Sequence, residues 1–432
     1  MKINYGIYLG TTSASIARME NGMPVIKKSN KLRDNIPLCV AFNKKGVLVG
    51  DSAYTTYRCE KENALSISIV NNAFIEFTRT LGTDKTYYSS HADQSFSSTE
   101  LVAEILKTLR SFVKDDEVKS AVITVPTNYK LNQIDAVRQA GKLAGIQQVE
   151  IIQEPIAVSL TYGLDSGKKD GFWLVFDFGG GTFDSALLKV EEGIMQVIDT
   201  EGDNHLGGKN LDFAIVDEII LPHIQEKYNI NNILSNDDTK NNYKEGLKVF
   251  AEELKNELSF KDSYNLYKED RLGIDDDGEE IEIDVTITQS DITRALTPVF
   301  QKAIDVSLGL LKRNNLKGVD LDTLFLVGGD TLSPVVRGML ESQICKPDTS
   351  INPKTAIVIG AALYASSIEA SDEVIKETID IDIIEDLLYE LTANEKLVSS
   401  EFKNYLEQLS VIKENKDVNT LNDIYKKLKE YE

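Results

Sequence analysis

The sequence predicts an α/β fold with two related lobes, and three observations support this prediction. The chain has 432 residues, 42% of them hydrophobic, which is more than one hydrophobic core usually organises. Residues 5–22 and 174–193 share one pattern, in which an apolar strand, a tight turn and a second strand follow one another. Elsewhere, strand-like runs alternate with helix-like runs, and this alternation is typical of α/β architectures.

The tight turns of the two copies are rich in glycine and threonine. Their residues are Gly10, Thr11, Thr12 and Ser13 in the first copy and Gly179, Gly180, Gly181 and Thr182 in the second. Because glycine has no Cβ, the backbone N–H groups can approach an oxygen-rich anion, and the hydroxyls add further donors. One such turn alone is also typical of a plain structural hairpin. Two related copies predict a site that holds a polyphosphate from both sides.

The sequence predicts further elements between and beyond the two copies. Strands are expected at 121–126, 149–154 and 324–327, and helices at 132–144, from 155 onward, and at 211–227, 243–258 and 355–366. Proline at position 155 suits the first turn of a helix. These elements extend the α/β pattern across most of the chain.

The overall charge limits the expected partners. A formal net charge of −22 repels phosphate backbones and anionic lipids, so we expect neither a nucleic-acid nor a membrane partner. The three cysteines and three histidines are too scattered to predict a disulfide scaffold or a zinc site. No signal peptide or membrane-spanning stretch is evident, so we expect a cytoplasmic protein.

A series of short motifs follows one order along residues 1 to about 370. The motifs are GIYLGTT at 6–12, VITVP at 122–126, IIQEPIA at 151–157, FDFGGGTFD at 176–184, DNHLGG at 203–208, LVGG at 326–329, and INP and GAA within 351–362. This series resembles the nucleotide-binding domain of the heat-shock protein 70 (DnaK-type) chaperone family, a branch of the actin-like ATPase superfamily.

The resemblance implies a two-lobed actin-like ATPase fold of duplicated RNase H-like domains, with ATP or ADP and magnesium at the base of the cleft. Lobe I would comprise residues 1–170 and 345–370. Lobe II would comprise residues 171–344, including a helical and β subdomain near 209–285. Residues 371–432 would form a helical tail in place of the peptide-binding region.

The resemblance also implies roles for individual residues. Asp177 would organise magnesium through its waters, Glu154 would orient water near the metal, and Thr182 would complete the catalytic set. The nucleotide would be held by Gly10, Thr11, Thr12, Gly179, Gly180, Gly181, Thr182, Gly207, Gly208, Glu252, Lys255, Ser259, Gly328 and Gly329. For Glu252 and Lys255 the alternative is a solvated pair on one helix face.

Two positions depart from the family pattern at the hydrolytic centre. Tyr8 stands where the family has an aspartate, and the internal repeat reveals the same loss because Tyr8 is the counterpart of Asp177. Thr78 stands where the family has its catalytic lysine, with Arg79 or Lys85 as the alternative source of positive charge. Each loss is expected to slow hydrolysis about a hundred- to a thousandfold.

The adenine end of the site departs from the family as well. Asn256 and Leu332 occupy the places of two arginines that sandwich the base, so weaker or less selective adenine binding is expected. Lys209 and Lys354 occupy places where the family tends to have acidic residues, and either could offset part of the lost positive charge.

The tail after residue 370 has an apolar spacing that predicts a helical hairpin. The apolar positions are Leu387, Leu391, Leu397, Phe402, Leu406, Leu409, Leu421, Ile424, Tyr425 and Leu428. A segment of this length cannot hold the β-sandwich and lid of a full-length family member. We expect the hairpin to dock on the body or on a protein partner, and a solvated acidic helix is the alternative.

Two functions from different classes follow from these residues. The first is an ATP- or ADP-binding, chaperone-like pseudo-ATPase that regulates or scaffolds a partner in protein folding or the stress response. The second is a slow but genuine ATPase that works with co-chaperones. A sugar or acetate kinase is disfavoured because the motifs at 151–157 and 176–184 resemble the chaperone branch, and a filament-forming actin relative has no sequence support.

Overall fold

A computed structural model of the chain describes residues 3–63, 65, 71–163, 170–192, 194–269 and 272–369, together with parts of 384–431. The chain divides into a large compact unit, Lys2–Ile368, and a small one that contains Glu369–Glu432. The division of the large unit into lobes at residues 170 and 344 stays a prediction.

Within the described residues, the strands of the large unit form two main sheets, one three-stranded sheet and two pairs of strands. In chain order they are β1 Tyr5–Leu9, β2 Ser13–Glu20, β3 Met23–Ile26, β4 Ile36–Pro37, β5 Cys39–Asn43, β6 Gly46–Val49, β7 Ala73–Ile75, β8 Thr86–Ser89, β9 Gln94–Ser97, β10 Ser120–Val125, β11 Gln148–Gln153, β12 Gly171–Phe178, β13 Phe183–Glu191, β14 Ile194–Asp203, β15 Ser263–Lys268, β16 Ile283–Thr288 and β17 Leu321–Val327.

The two main sheets repeat one topology. The first has the order β11-β10-β1-β2-β3, with β4 also paired to β2, and the second has the order β14-β13-β12-β17. In each sheet the first hairpin strand runs antiparallel to its hairpin partner and parallel to its other neighbour. The sequence repeat is therefore a repeat of topology, and the predicted two-lobed actin-like α/β fold is confirmed.

The helices are α1 Asp51–Asn63, α2 Ser98–Arg110, α3 Leu131–Leu143, α4 Glu154–Gly163, α5 Gly208–Ile215, α6 Leu221–Lys227, α7 Asn231–Leu234, α8 Asp237–Glu257, α9 Gln289–Arg313, α10 Pro334–Gln343 and α11 Ala356–Ala365. A π-helical turn, Val216–Ile220, joins α5 to α6 within the predicted helix 211–227. α9 begins with reciprocal hydrogen bonds between Thr288 and Asp291, which satisfy two end N–H groups. None of the helices in the described ranges combines the length and apolar composition of a membrane span.

Each main sheet packs into its own hydrophobic core. The core of the first sheet includes Ile7, Ile16, Leu101, Leu106 and Ile123. The core of the second includes Leu174, Phe176, Phe183, Phe300 and Leu324. Two separate cores in one compact unit are the physical basis of two lobes, since each sheet buries its apolar face independently.

A row of aromatic rings ties α4 to the second sheet. Trp173 of β12 is 2% exposed, and its ring meets Phe325 of β17 edge-on at a centroid distance of 5.3 Å. Phe325 in turn stacks on Tyr162 of α4 at 4.2 Å. Such pairs contribute roughly 0.5–1.5 kcal/mol each beyond the area they bury.

Glycines allow α11 to approach the first sheet and α4 closely. A Cβ on Gly6 of β1 would overlap the backbone of Ala362, and a Cβ on Gly360 would overlap the carbonyl oxygen of Ala157. Backbone atoms cannot move aside as a flexible side chain can. α11 is therefore fixed against both elements.

The small unit has a hydrophobic cluster of its own. Helical residues occur within 384–392, 401–409 and 424–428. Their buried side chains are Ile384, Leu388, Leu391, Leu409, Ile424 and Leu428, which pack together, while Tyr389 meets Phe402 at 5.2 Å. The predicted positions Leu387, Leu397, Leu421 and Tyr425 lie outside the described residues. Docking of this unit stays a prediction.

We predict that Gly360→Ala lowers the free energy of unfolding by about 2–3 kcal/mol, because the new methyl group overlaps backbone atoms of α4. Gly309→Ala in α9 is the matched control, since nothing lies within 4 Å of its Cβ position. The control is expected to gain up to about 1 kcal/mol from helix propensity. Urea unfolding measures both, and equal stability of the two variants would contradict the close approach of α11.

Candidate functional site

The two repeated turns are closed by equivalent backbone hydrogen bonds. In the turn after β1, the N–H of Gly10 donates to the carbonyl of Ser13 at 3.0 Å. In the turn after β12, the N–H of Gly179 donates to the carbonyl of Thr182 at 2.9 Å. The sequence repeat thus extends to single hydrogen bonds.

The two turns face each other in direct contact. A Cβ on Gly180 would overlap the side chain of Thr12, so any larger residue at position 180 would displace Thr12. The start of α5 is hydrogen-bonded to the second turn. The N–H of Gly208 donates to the carbonyl of Gly179 at 2.9 Å, and that of Lys209 donates to the carbonyl of Gly180 at 2.8 Å. The facing arrangement predicted from the repeat is present.

A cavity of about 690 Å³ opens between the two turns and extends toward α8 and β17. Eight predicted nucleotide-binding residues line it: Thr12, Gly180, Gly208, Glu252, Lys255, Ser259, Gly328 and Gly329. The other predicted residues lie in the same turns, before α5, or on the adjoining ends of β12 and α4: Gly10, Thr11, Gly179, Gly181, Thr182, Gly207, Asp177 and Glu154. The structure therefore brings the predicted set into one region.

Three carboxyl groups lie close together beside the turns, with Glu154 buried and Asp177 and Asp184 half-buried. Asp177 on β12 and Asp184 on β13 are direct partners in the hairpin register, so their side chains share one face of the sheet. Burial raises the pKa of Asp184 to about 6. Burial, and then the neighbouring carboxylates, raise the pKa values of Asp177 and of Glu154 well above their usual range. The cluster is short of positive charge.

Asp184 is the residue of this cluster to which our sequence analysis gives no role. The sequence contains a signal for Asp184, because the residues that flank a short hairpin turn pair with one another in order, outward from the turn. Starting from Gly179–Thr182, Phe178 pairs with Phe183 and Asp177 pairs with Asp184. Counting outward from the turn would have found it.

Tyr8 occupies the counterpart position of Asp177 in the first sheet. It pairs with Ser15 as Asp177 pairs with Asp184, and its hydroxyl lies where a Cβ on Gly10 would be. Burial, followed by the charges of Glu154 and Asp177, raises the pKa of Tyr8 well above its usual range. The side chain is therefore a neutral phenol beside the carboxylates, and one acidic group is missing.

The carboxyl cluster fits a magnesium ion that is bound mainly through water. Among the described residues, no group of three or more His, Cys, Asp or Glu side chains is arranged to ligate a metal directly. A cluster of carboxyl groups nevertheless favours a divalent ion that keeps its water shell, because magnesium dehydrates reluctantly. Asp177, Asp184 and Glu154 are the residues that would face this shell.

Thr78 and Arg79 both reach the turns. The hydroxyl of Thr78 donates to the carbonyl of Gly10 at 3.3 Å, so a neutral group stands at this position of the first turn. The guanidinium of Arg79 donates to the carbonyl of Gly181 at 2.6 Å and also to that of Asn204. A cation from the first lobe therefore touches the second turn.

At the other end of the cavity, Lys255 is buried among acids. Its ammonium lies 2.8 Å from Asp212 and 3.2 Å from Asp330. Burial alone lowers the pKa of Lys255, but these carboxylates more than offset burial and raise it. Glu252 accepts a hydrogen bond of 2.6 Å from Tyr54 on α1. The alternative of a solvated Glu252–Lys255 pair is therefore wrong.

At this end of the cavity, the two wall positions where the family has arginines carry uncharged side chains. Asn256 and Leu332 both line the cavity, so neither supplies a guanidinium to stack on a base. Lys354 also lines it and packs its aliphatic chain against Gly329. The surface available to a flat ring here is weaker in charge than the sequence pattern of the family implies.

A family model described as Hsp70 protein matches residues 4–398, which extends past residue 370 into the tail. The chain belongs to the Hsp70 family. It is 34% identical over 368 residues to the chaperone protein DnaK of Mesomycoplasma hyopneumoniae strain J, a match that covers 84% of this chain and 58% of that protein. The DnaK proteins of Mycoplasmopsis agalactiae and Ureaplasma parvum are 33% and 32% identical, with the same coverage.

The chain thus aligns with somewhat more than half of the length of these DnaK relatives. The motifs and the actin-like fold of the large unit identify the matched part as the nucleotide-binding part of the Hsp70 family.

We predict that the free energy of unfolding falls as the pH rises from about 4 to above 6. The folded-state pKa of Asp184 is about 6, against 3.8 for the free side chain, so its protonated form stabilises the fold and this contribution is lost on ionisation. The loss amounts to about 3 kcal/mol.

Asp184→Asn should remove that part of the pH dependence, as measured by urea unfolding at a series of pH values without divalent ions. Asp305→Asn, on the exposed side of α9, is the control and should leave the slope unchanged. An unchanged slope in Asp184→Asn would show that the carboxyl group is solvated in the folded protein.

Proposed function

We propose that the protein binds ATP or ADP with magnesium in the cleft between its two lobes and acts as a DnaK-type, chaperone-like protein with strongly reduced hydrolysis. The observation that carries this proposal is the contact of the two repeated turns, in which Gly180 lies against Thr12 beside a cavity of nucleotide size. Glycine-rich turns with exposed amides are anion sites.

In this proposal each part of the cleft has a separate task. The turns at 10–13 and 179–182 hold the phosphates through backbone N–H groups and hydroxyls. Asp177, with Glu154, faces the magnesium waters, and the metal supplies the positive charge that the carboxyl cluster lacks. Gly328 and Gly329 leave room for the base, while Glu252, Lys255 and Ser259 lie along the ribose side.

Reduced hydrolysis is inferred from two neutral groups at the centre of the site. Tyr8 is a phenol where a carboxylate would help to position the metal and its waters. Thr78 is a hydroxyl that is hydrogen-bonded to Gly10, and it cannot neutralise a phosphate. Phosphoryl transfer depends on positioning and on cations where charge develops, so both substitutions act on the same step.

A slow but genuine ATPase is the second candidate, and Arg79 favours it. Its guanidinium already contacts the carbonyl of Gly181, so it could stabilise charge in place of the missing lysine. Single-turnover hydrolysis decides between the two candidates. Wild-type turnover that disappears in Arg79→Gln would support the slow enzyme.

The proposal also includes the protein partners of the chain. The acidic chain suits a cytoplasmic protein that works with co-chaperones or with another protein partner through the helical unit of residues 369–432. The nucleotide state of the cleft would regulate this interaction. We propose no nucleic-acid or membrane partner, and added sugars should not accept a phosphate.

We predict that ATP or ADP with magnesium raises the melting temperature and gives a saturable heat on titration. Gly180→Ala should weaken binding at least about tenfold, because the methyl group enters the contact with Thr12. Gly338→Ala is the control, since its Cβ position is open. If neither nucleotide changes the melting temperature or gives heat at millimolar concentration, the cleft does not bind nucleotides.

We predict that wild-type turnover is at least about a hundredfold below that of a relative with both catalytic groups. Tyr8→Asp together with Thr78→Lys should increase hydrolysis more than either change alone, because both groups act on one transition state. Phosphate release under single-turnover conditions measures this. Fast wild-type turnover that persists in Asp177→Ala would contradict the assigned site.

A further inference from the structure

Three charged side chains meet at the junction of the lobes, beside the second turn. The carboxylate of Glu76 lies 3.0 Å from the guanidinium of Arg79 and 3.2 Å from the ammonium of Lys209. One carboxylate thus serves two cations, so the group has one positive charge in excess. All three side chains are partly buried, and Glu76 and Lys209 line the cavity.

The position of Lys209 is fixed by the turn itself. Lys209 is the second residue of α5, and its N–H donates to the carbonyl of Gly180 at 2.8 Å. Its long side chain therefore starts at the turn that faces Thr12. Among the described residues the Lys209 ammonium contacts Glu76 alone, whereas the Arg79 guanidinium also binds the carbonyls of Gly181 and Asn204.

This difference decides which cation can respond to a ligand. A guanidinium held by several acceptors in a rigid fork loses bonds when it moves. An ammonium on a flexible four-carbon stem that holds one partly exposed carboxylate can exchange that partner at little cost. At the first turn, Thr78 offers a hydroxyl and no charge. The cation that can change partners is therefore Lys209 on the second lobe. The family pattern instead has a lysine at position 78, on the first lobe.

We propose that Lys209 supplies from the second lobe the phosphate-neutralising charge that Thr78 cannot supply from the first. The ammonium leaves Glu76 and binds the outer phosphate of the nucleotide, while Glu76 stays paired with Arg79. Lys209 is thus a specificity-determining residue that distinguishes phosphorylated ligands from the bare nucleoside. This inference rests on the proposed nucleotide binding in the same cleft.

The test is calorimetric titration of the full chain with ATP, ADP, AMP and adenosine in the presence of magnesium. Lys209→Gln should weaken ATP binding roughly ten- to a hundredfold, as expected for the loss of a charge-assisted contact, and leave adenosine binding unchanged. Lys209→Arg should retain most of the ATP affinity. Lys302→Gln, an exposed lysine on α9, makes the same charge change and should alter nothing.

Two further variants test the exchange of partners and the compensation. Glu76→Gln frees the ammonium and should strengthen ATP binding, with no change for adenosine. Thr78→Lys in the Lys209→Gln background should restore ATP affinity, because it returns a cation to the first turn.

The possible failures can be told apart. If the wild-type protein binds none of the four ligands, the proposed function fails, and this inference fails with it. If the wild type binds ATP but Lys209→Gln keeps the same ratio of ATP to adenosine affinity, only the role of Lys209 is overturned. An equal loss for all four ligands would likewise overturn it, because it would indicate a structural role in the start of α5.

Discussion

The contact between Gly180 and Thr12 is the constraint on which the rest of the cleft depends. The two hairpin turns meet this closely because Gly180 has no side chain to displace Thr12. Once they meet, the strands that lead into the turns are placed, and with them every group at the strand ends. The cavity beside both turns and the reach of Arg79 to Gly181 go with that approach.

The duplicated design is symmetric in its backbone and asymmetric in its chemistry. Equivalent hydrogen bonds close both turns, and equivalent registers place Tyr8 opposite Ser15 and Asp177 opposite Asp184. The first sheet thus carries two hydroxyl groups where the second carries two carboxyl groups. Any charge that a metal ion brings would be balanced almost wholly by the second lobe and by Glu154.

The fold could be predicted from the sequence because its signals are local. Strand periodicity, the glycine turns and the order of motifs each span a few residues, and the repeat links them. The assembly of Glu76, Arg79 and Lys209 could not be predicted, since Lys209 lies 133 residues from Glu76 and no local pattern connects them. Asp184 was missed for a simpler reason, because the hairpin register was not counted. The sequence left a solvated pair of Glu252 and Lys255 open as an alternative, because the partners of Lys255, Asp212 and Asp330, lie on other elements.

Trp173 gives the protein an optical property that follows from its packing. It is the single tryptophan of the chain and belongs to β12, which ends just after Asp177, and its ring meets Phe325, which stacks on Tyr162 of α4. Its side chain is on the same face of β12 as that of Asp177, about 13 Å away along the strand. Fluorescence excited at wavelengths that the tyrosines do not absorb therefore arises from one indole, on the strand that carries Asp177 and near the helix that begins at Glu154. Emission wavelength and quenching would report on that junction without any attached dye.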